Sequence, residues 1–107
     1  MIYKETINQL NILLDKLQFQ ERRNFFNRIT DTHLNCSIGI LETILERESN
    51  NKFSAKDLSE IVLITTKMFS ILNLNPETME TINNLQKASL LLKREYLDTN
   101  GTNIINH

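Results

Sequence analysis

The sequence predicts an all-α protein, an antiparallel four-helix bundle with a short flexible C-terminal tail. Three observations support this fold class. The 107 residues include only 2 glycines and 1 proline, whereas a chain that turns often needs these residues for its tight turns. Apolar residues recur at three- and four-residue steps along most of the chain. Two helix starts are clearly marked in the second half. The length favours one domain with one core, predicted over residues 1–98.

Helix one is predicted over residues 4–17, because Ile7, Leu10 and Leu14 fall on one helical face. The segment 18–20 is predicted as a short connection, although it contains neither Gly nor Pro and the two helices could be continuous. Helix two is predicted over residues 21–48 with two apolar rows. One row is Phe25, Ile29, Thr32/His33, Cys36, Ile40 and Ile44, and the other is Phe26, Leu34, Ile38, Leu41 and Leu45.

Helix three is predicted over residues 55–72. Ser54 is its expected N-cap, because a serine hydroxyl can accept a hydrogen bond from the backbone N–H three residues later. Phe53 and Leu58 have the spacing of a hydrophobic staple across that cap. The expected core row is Leu58, Ile61, Val62, Thr65, Met68, Phe69 and Leu72.

Helix four is predicted over residues 76–97. Asn75 is the expected cap, Pro76 suits the first helical position, and Glu77 favours the positive end of the helix dipole. The expected core row is Met79, Ile82, Leu85, Leu90 or Leu91, and Tyr96. Residues 99–107 are mostly polar and are predicted as the C-terminal tail.

Charge and cysteine usage restrict the class of protein. The formal net charge of −1 argues against a dedicated nucleic-acid binder, since such proteins are usually basic. The single cysteine, Cys36, excludes an intrachain disulfide and fits a reducing compartment. The N-terminal residues lack the pattern of a signal peptide, and no window is apolar enough for a membrane span. We therefore expect a cytoplasmic protein, with a monomer favoured.

No catalytic, metal or cofactor site is predicted. His33 and Cys36 share a helical face, but a metal site needs three or four ligands. Arg28 and His33 have the Arg-x4-His spacing of helical nucleases of the HEPN type, in which Arg could hold a phosphate while His moves a proton. A small ribonuclease or toxin is therefore an alternative hypothesis. A helical regulatory or adaptor protein is another, because the same region has the apolar spacing of the sensor-kinase hairpin, with Thr32 at the phosphoacceptor position.

The chain from about Leu10 to Leu91 resembles the pediocin-like (class IIa) bacteriocin immunity protein family. The resemblance is carried by Ile40-Leu41-Glu42-Thr43 at the end of helix two and by the cap Ser54 eleven residues later. It continues in Leu74-Asn75-Pro76-Glu77 and in Ile82-Asn83-Asn84-Leu85 within helix four. The family's Phe-Thr pair before helix four is replaced here by Leu74-Asn75-Pro76.

The resemblance implies a small cytosolic four-helix bundle that protects a producer cell without catalysis. Such a protein would associate at the inner membrane face with the mannose transporter when the bacteriocin occupies it. Family specificity lies largely in the C-terminal half, which implies a working surface at the turn before helix four and at the far end of that helix. The partner-binding candidates on this basis are Asn73, Asn75, Lys87, Lys93, Arg94 and Tyr96.

Overall fold

The computed structural model describes residues 1–21 and 31–105, with side chains described for residues 1–21 and 32–96. Every regular element in these ranges is a helix, so the predicted all-α fold with four helices is confirmed. The elements are α1 (Ile2–Asp15), a π-helical segment (Lys16–Glu21), α2 (Asp31–Asn50), α3 (Ala55–Phe69) and α4 (Pro76–Ile105). No helix in the described part of the chain is long and apolar enough to cross a bilayer.

The first helix does not stop where the sequence predicted. The backbone of Lys16 is helical, with φ −62 and ψ −42, and the chain continues as a π-helix through Glu21. The predicted connection at residues 18–20 is therefore wrong, because nothing in that segment terminates a helix.

The second helix is described from Asp31, so residues 22–30 of its predicted span, which include Phe25, Phe26 and Ile29, lie outside the described residues. The apolar row Leu34, Ile38 and Leu41 is buried, as predicted. The other row is partly wrong, because its members His33 and Cys36 are exposed.

Helix α3 begins as predicted. The Ser54 Oγ accepts a hydrogen bond from the Asp57 N–H at 3.1 Å, and Ser54 itself has an extended backbone with φ −63 and ψ 158. This cap satisfies one of the N–H groups that the first turn of a helix leaves without an intrahelical partner. The helix ends at Phe69 and not at the predicted residue 72.

Helix α4 starts at Pro76, as predicted, and runs to Ile105, through most of the segment predicted as a tail. Its core row was predicted correctly as far as Ile82 and Leu85. The continuation through Leu90 or Leu91 is wrong, because both are about half exposed and the buried residue is Leu92. The small polar Ser89, which is only 1% exposed, occupies the core position that the apolar pattern missed.

The bundle is organised around α4, which packs most extensively on α3 and then on α1, while α2 packs against α1 and the π segment. The chain thus runs up α1, down α2, up α3 and down α4, and the π segment lies beside the first turns of α4. The core consists of side chains with 7% exposure or less: Leu10, Leu13, Leu17, Leu34, Ile38, Leu41, Ile44, Leu58, Val62, Phe69, Ile82, Leu85 and Leu92.

Small hydroxyl residues fill several buried positions between the helices. The hydroxyls of Thr6, Ser37 and Thr66 donate to carbonyls four residues earlier, at 2.7–2.9 Å. Burial of a hydroxyl that hydrogen-bonds within its own helix costs little free energy. The small side chain also lets the neighbouring helix pack closely. Thr78 differs, since its buried Oγ1 has no hydrogen-bond partner among the described residues.

Candidate partner-binding surface

An apolar stripe lies on the outer side of α3 and leads to the turn before α4. Ile64, Met68 and Ile71 are 61%, 51% and 83% exposed. Their spacing of four and three residues aligns them along one side of the helix and its C-terminal turn. We call these three residues the α3 stripe. Met68 was predicted as a core residue, and its exposure corrects that prediction.

The stripe is exposed because the opposite side of α3 already fills the interface with α4. Val62 and Thr66 are completely buried and Phe69 is 2% exposed. The Thr66 hydroxyl donates to the Val62 carbonyl at 2.8 Å, so this buried polar group has its hydrogen-bond partner within α3. Once these residues face α4, the geometry of a helix turns Ile64 and Met68 outward.

Charged residues border the stripe. Glu60 and Lys67 are exposed and lie on the same side of α3 as Ile64, one helical turn before and after it. An apolar centre with a charged margin is the usual arrangement of a protein-binding surface.

The turn between α3 and α4 continues this surface. The Leu72 N–H donates to the Phe69 carbonyl and the Leu74 N–H to the Leu72 carbonyl, both at 3.0 Å. Asn73, a predicted partner-binding residue, is exposed in this turn. Asn73 comes two residues after Ile71, the last residue of the α3 stripe, so the stripe and the turn are adjacent along the chain.

Asn75, another predicted partner-binding residue, is hydrogen-bonded to a buried side chain. Its backbone N–H donates to Glu21 Oε1 at 3.0 Å, and its carbonyl accepts from the Met79 N–H at 2.9 Å. Glu21 is only 2% exposed, and its carboxylate lies at the positive end of the α4 dipole. Asn75 is half-buried and thus contributes to the position of α4 as well as to the turn.

A second set of hydrogen bonds connects the π segment to α4. Lys16 Nζ donates to the Glu77 carbonyl at 3.2 Å and to Thr81 Oγ1 at 2.6 Å. Glu21 and Lys16 lie at the two ends of the π segment, so both of its ends are bonded to the beginning of α4. These bonds fix where α4 starts and hence where the α3–α4 turn lies.

The remaining predicted residues lie further along α4. Lys87, Lys93 and Arg94 are exposed and Tyr96 is half-buried. With a rise of 1.5 Å per residue, Lys93 is roughly 25 Å from the start of α4. The structure therefore separates the predicted set into a group at the turn and a group near the other end of the bundle.

The residues considered for catalysis and metal binding do not form a cluster in the described part of the chain. His33 and Cys36 are exposed on α2, and Arg28 lies outside the described residues. No three His, Cys, Asp or Glu side chains among the described residues come together as metal ligands. The ribonuclease hypothesis stays a prediction, because Arg28 is outside the described residues.

Sequence reasoning missed the α3 stripe, although one signal was present. Residues 61–64 are four consecutive apolar residues, Ile-Val-Leu-Ile. Successive residues of a helix point about 100° apart, so such a run cannot face a single neighbour. At least one of its members had to face outward.

Comparison of the chain with protein-family models, with curated proteins and with solved structures gave no match. The function is therefore argued from the residues and from the geometry described above.

Proposed function

We propose that this protein is a non-catalytic immunity protein that protects a bacterium against a pediocin-like bacteriocin. In this proposal it acts in the cytoplasm, at the inner face of the membrane. Its partner is the mannose transporter when the bacteriocin occupies it, and binding closes the resulting pore.

The observation that carries the proposal is the exposed α3 stripe together with Asn73. Contiguous exposed apolar side chains with a charged margin are typical of surfaces that bind another protein. This surface belongs to the α3–α4 pair, which also carries most of the sequence resemblance to the immunity proteins. Two independent features thus support the same region as the working surface.

The rigid attachment of the turn also supports this role. The bonds from Lys16 and Glu21 to the first turns of α4 hold the turn in one position. A preorganised surface loses less conformational entropy on binding, which favours affinity and specificity.

A protection assay tests the proposal. The protein is expressed in a strain that is sensitive to pediocin-like bacteriocins, and the inhibitory concentration of each bacteriocin is measured. We expect a large increase for one cognate bacteriocin and little change for the others. Normal sensitivity to every pediocin-like bacteriocin, at verified expression, would contradict the proposal.

A variant tests the non-catalytic part separately. Replacement of His33 by Leu and Cys36 by Val removes the reactive groups, and both positions are exposed, so the fold should be retained. We expect full protection from this variant. If protection were lost while circular dichroism showed an intact bundle, the non-catalytic mechanism would be wrong.

A further inference from the structure

A groove lies at the other end of the bundle from the α3–α4 turn, between the first two turns of α1 and the loop that joins α2 to α3. It has a volume of about 430 Å³, within the range of sites that bind small molecules and side chains. Its lining includes Tyr3, Lys4, Ile7, Glu48, Lys52 and Phe53. Helix α3 has 15 residues, so roughly 20–25 Å of helix separates this groove from Ile71.

The groove has an apolar floor. Ile7 and Phe53 are half-buried and pack against the core, while part of each side chain remains open to the groove. Tyr3 also packs against the core and joins two of the walls, because its hydroxyl donates to Glu48 Oε1 at 3.5 Å. This floor can accept one aliphatic or aromatic side chain.

The polar groups of the groove favour an anion. Lys4 and Lys52 are both exposed, and neither ammonium has a hydrogen-bond or ion-pair partner among the described residues. Glu48 is the one acidic side chain in the lining, and it accepts the bond from Tyr3. Partial burial, with the charge of Glu48, raises the pKa of Tyr3 above its usual value, which keeps the phenol a hydrogen-bond donor. Two unpaired cations against one engaged carboxylate leave a net positive rim.

We propose that this groove binds a peptide segment of a protein partner in which an apolar side chain is next to a carboxylate. The apolar side chain occupies the floor formed by Ile7 and Phe53, and the carboxylate lies between Lys4 and Lys52. This site is separate from the α3 stripe, so the inference does not depend on the proposed immunity function.

Nuclear magnetic resonance titration with two small probes tests the inference. The first probe is N-acetyl-Phe-Glu amide, and the second is N-acetyl-Phe-Gln amide, which has nearly the same shape without the charge. We expect the first to shift the backbone resonances of Lys4, Ile7 and Phe53, with a dissociation constant on the order of 1 mM. The second should bind several-fold more weakly. Equal binding of the two probes, or shifts confined to other residues, would overturn the proposal.

Two charge-reversal variants test whether Lys52 binds the carboxylate of the probe. Lys52→Glu should weaken the first probe about tenfold, because it replaces attraction with repulsion. Lys56→Glu is the matched control, since Lys56 is also exposed, at the start of α3, but does not line the groove. It should bind as the unchanged protein does. A thermal melt of each variant verifies folding, and equal losses in the two variants would contradict the site.

Vesicles with and without an anionic lipid distinguish a membrane from a peptide. One contrary result would be sedimentation with anionic vesicles that depends on Lys52, while neither peptide probe shifts the backbone resonances of the groove residues. That result would show that the groove binds a lipid surface and would overturn the peptide assignment. We expect shifts from the peptide probe and no Lys52-dependent sedimentation.

Discussion

The two sides of α3 both carry apolar residues, but in opposite environments. On the inner side Val62 and Phe69 are buried against the core, whereas on the outer side Ile64 and Ile71 are 61% and 83% exposed. Apolar burial stabilises a fold by about 25 cal/mol per Å² removed from water, so only the inner side contributes substantially to stability. The outer side leaves its apolar surface in contact with solvent, and we propose above that a protein partner covers it. The comparison teaches that the apolar residues of one helix can have separate roles, and substitutions can measure each role.

The largest expected effect is on the inner side, at the C-terminal end of α3. Phe69→Ala should lower the free energy of unfolding by about 3–5 kcal/mol, because it removes a buried aromatic ring and leaves a cavity. Ile71→Ala, only two residues away, should change it by less than about 0.5 kcal/mol. Urea denaturation followed by circular dichroism measures both, and similar losses in the two variants would break the distinction between the sides.

Overpacking of the inner side should have a smaller effect. Thr66 is completely buried, so Thr66→Leu should cost about 1–3 kcal/mol as the larger side chain forces the neighbouring atoms apart. Lys67→Leu is the control, since Lys67 is exposed on the same helix. Thermal unfolding is the measurement. A neutral Thr66→Leu would mean that the interface between α3 and its neighbours contains unfilled space.

The cap that starts α3 should contribute less again. Ser54→Ala removes the acceptor for the Asp57 N–H and should cost about 1 kcal/mol. Ser49→Ala is the control, because Ser49 is an exposed serine that only donates to the Glu46 carbonyl of its own helix. Chemical denaturation of both should show a loss for Ser54→Ala alone. Equal stability of the two variants would mean that the cap does not set the start of α3.

The smallest effect on stability is expected on the outer side. Ile64→Gln and Met68→Gln, alone or together, should each change the free energy of unfolding by no more than about 0.5 kcal/mol, since exposed positions lose little on substitution. Glutamine retains the helix propensity of α3. Loss of more than about 2 kcal/mol in either variant would show that the stripe packs against the fold.

The sequence predicted those parts of the fold that depend on local chemistry. Ser54 and Pro76 mark helix starts because each acts on the backbone within a few residues of itself. Both starts agree with the structure. The π segment could not be predicted in this way, because its geometry accompanies the bonds of Lys16 and Glu21 to α4, which is distant in the sequence.

The core positions and the candidate surface were predicted less well, for a related reason. A buried serine such as Ser89 is not part of an apolar pattern. The core row predicted for α4 was therefore continued through Leu90 or Leu91, which are exposed. In the same way, Met68 was assigned to the core because its spacing fits, although Phe69 and Val62 already fill that side. Spacing indicates which residues share a side of a helix, while the packing of the other helices decides which side is covered.

The central claim is that the outer side of α3 serves binding and not folding. The direct measurement is the protection given by a triple variant, Ile64→Gln, Met68→Gln and Ile71→Gln, against the cognate bacteriocin. Ile12→Gln is the control, since Ile12 is an apolar residue that is 42% exposed on α1, away from the stripe. We predict that the triple variant folds with nearly unchanged stability and loses protection, while the control retains it. Full protection by a folded triple variant would contradict the claim.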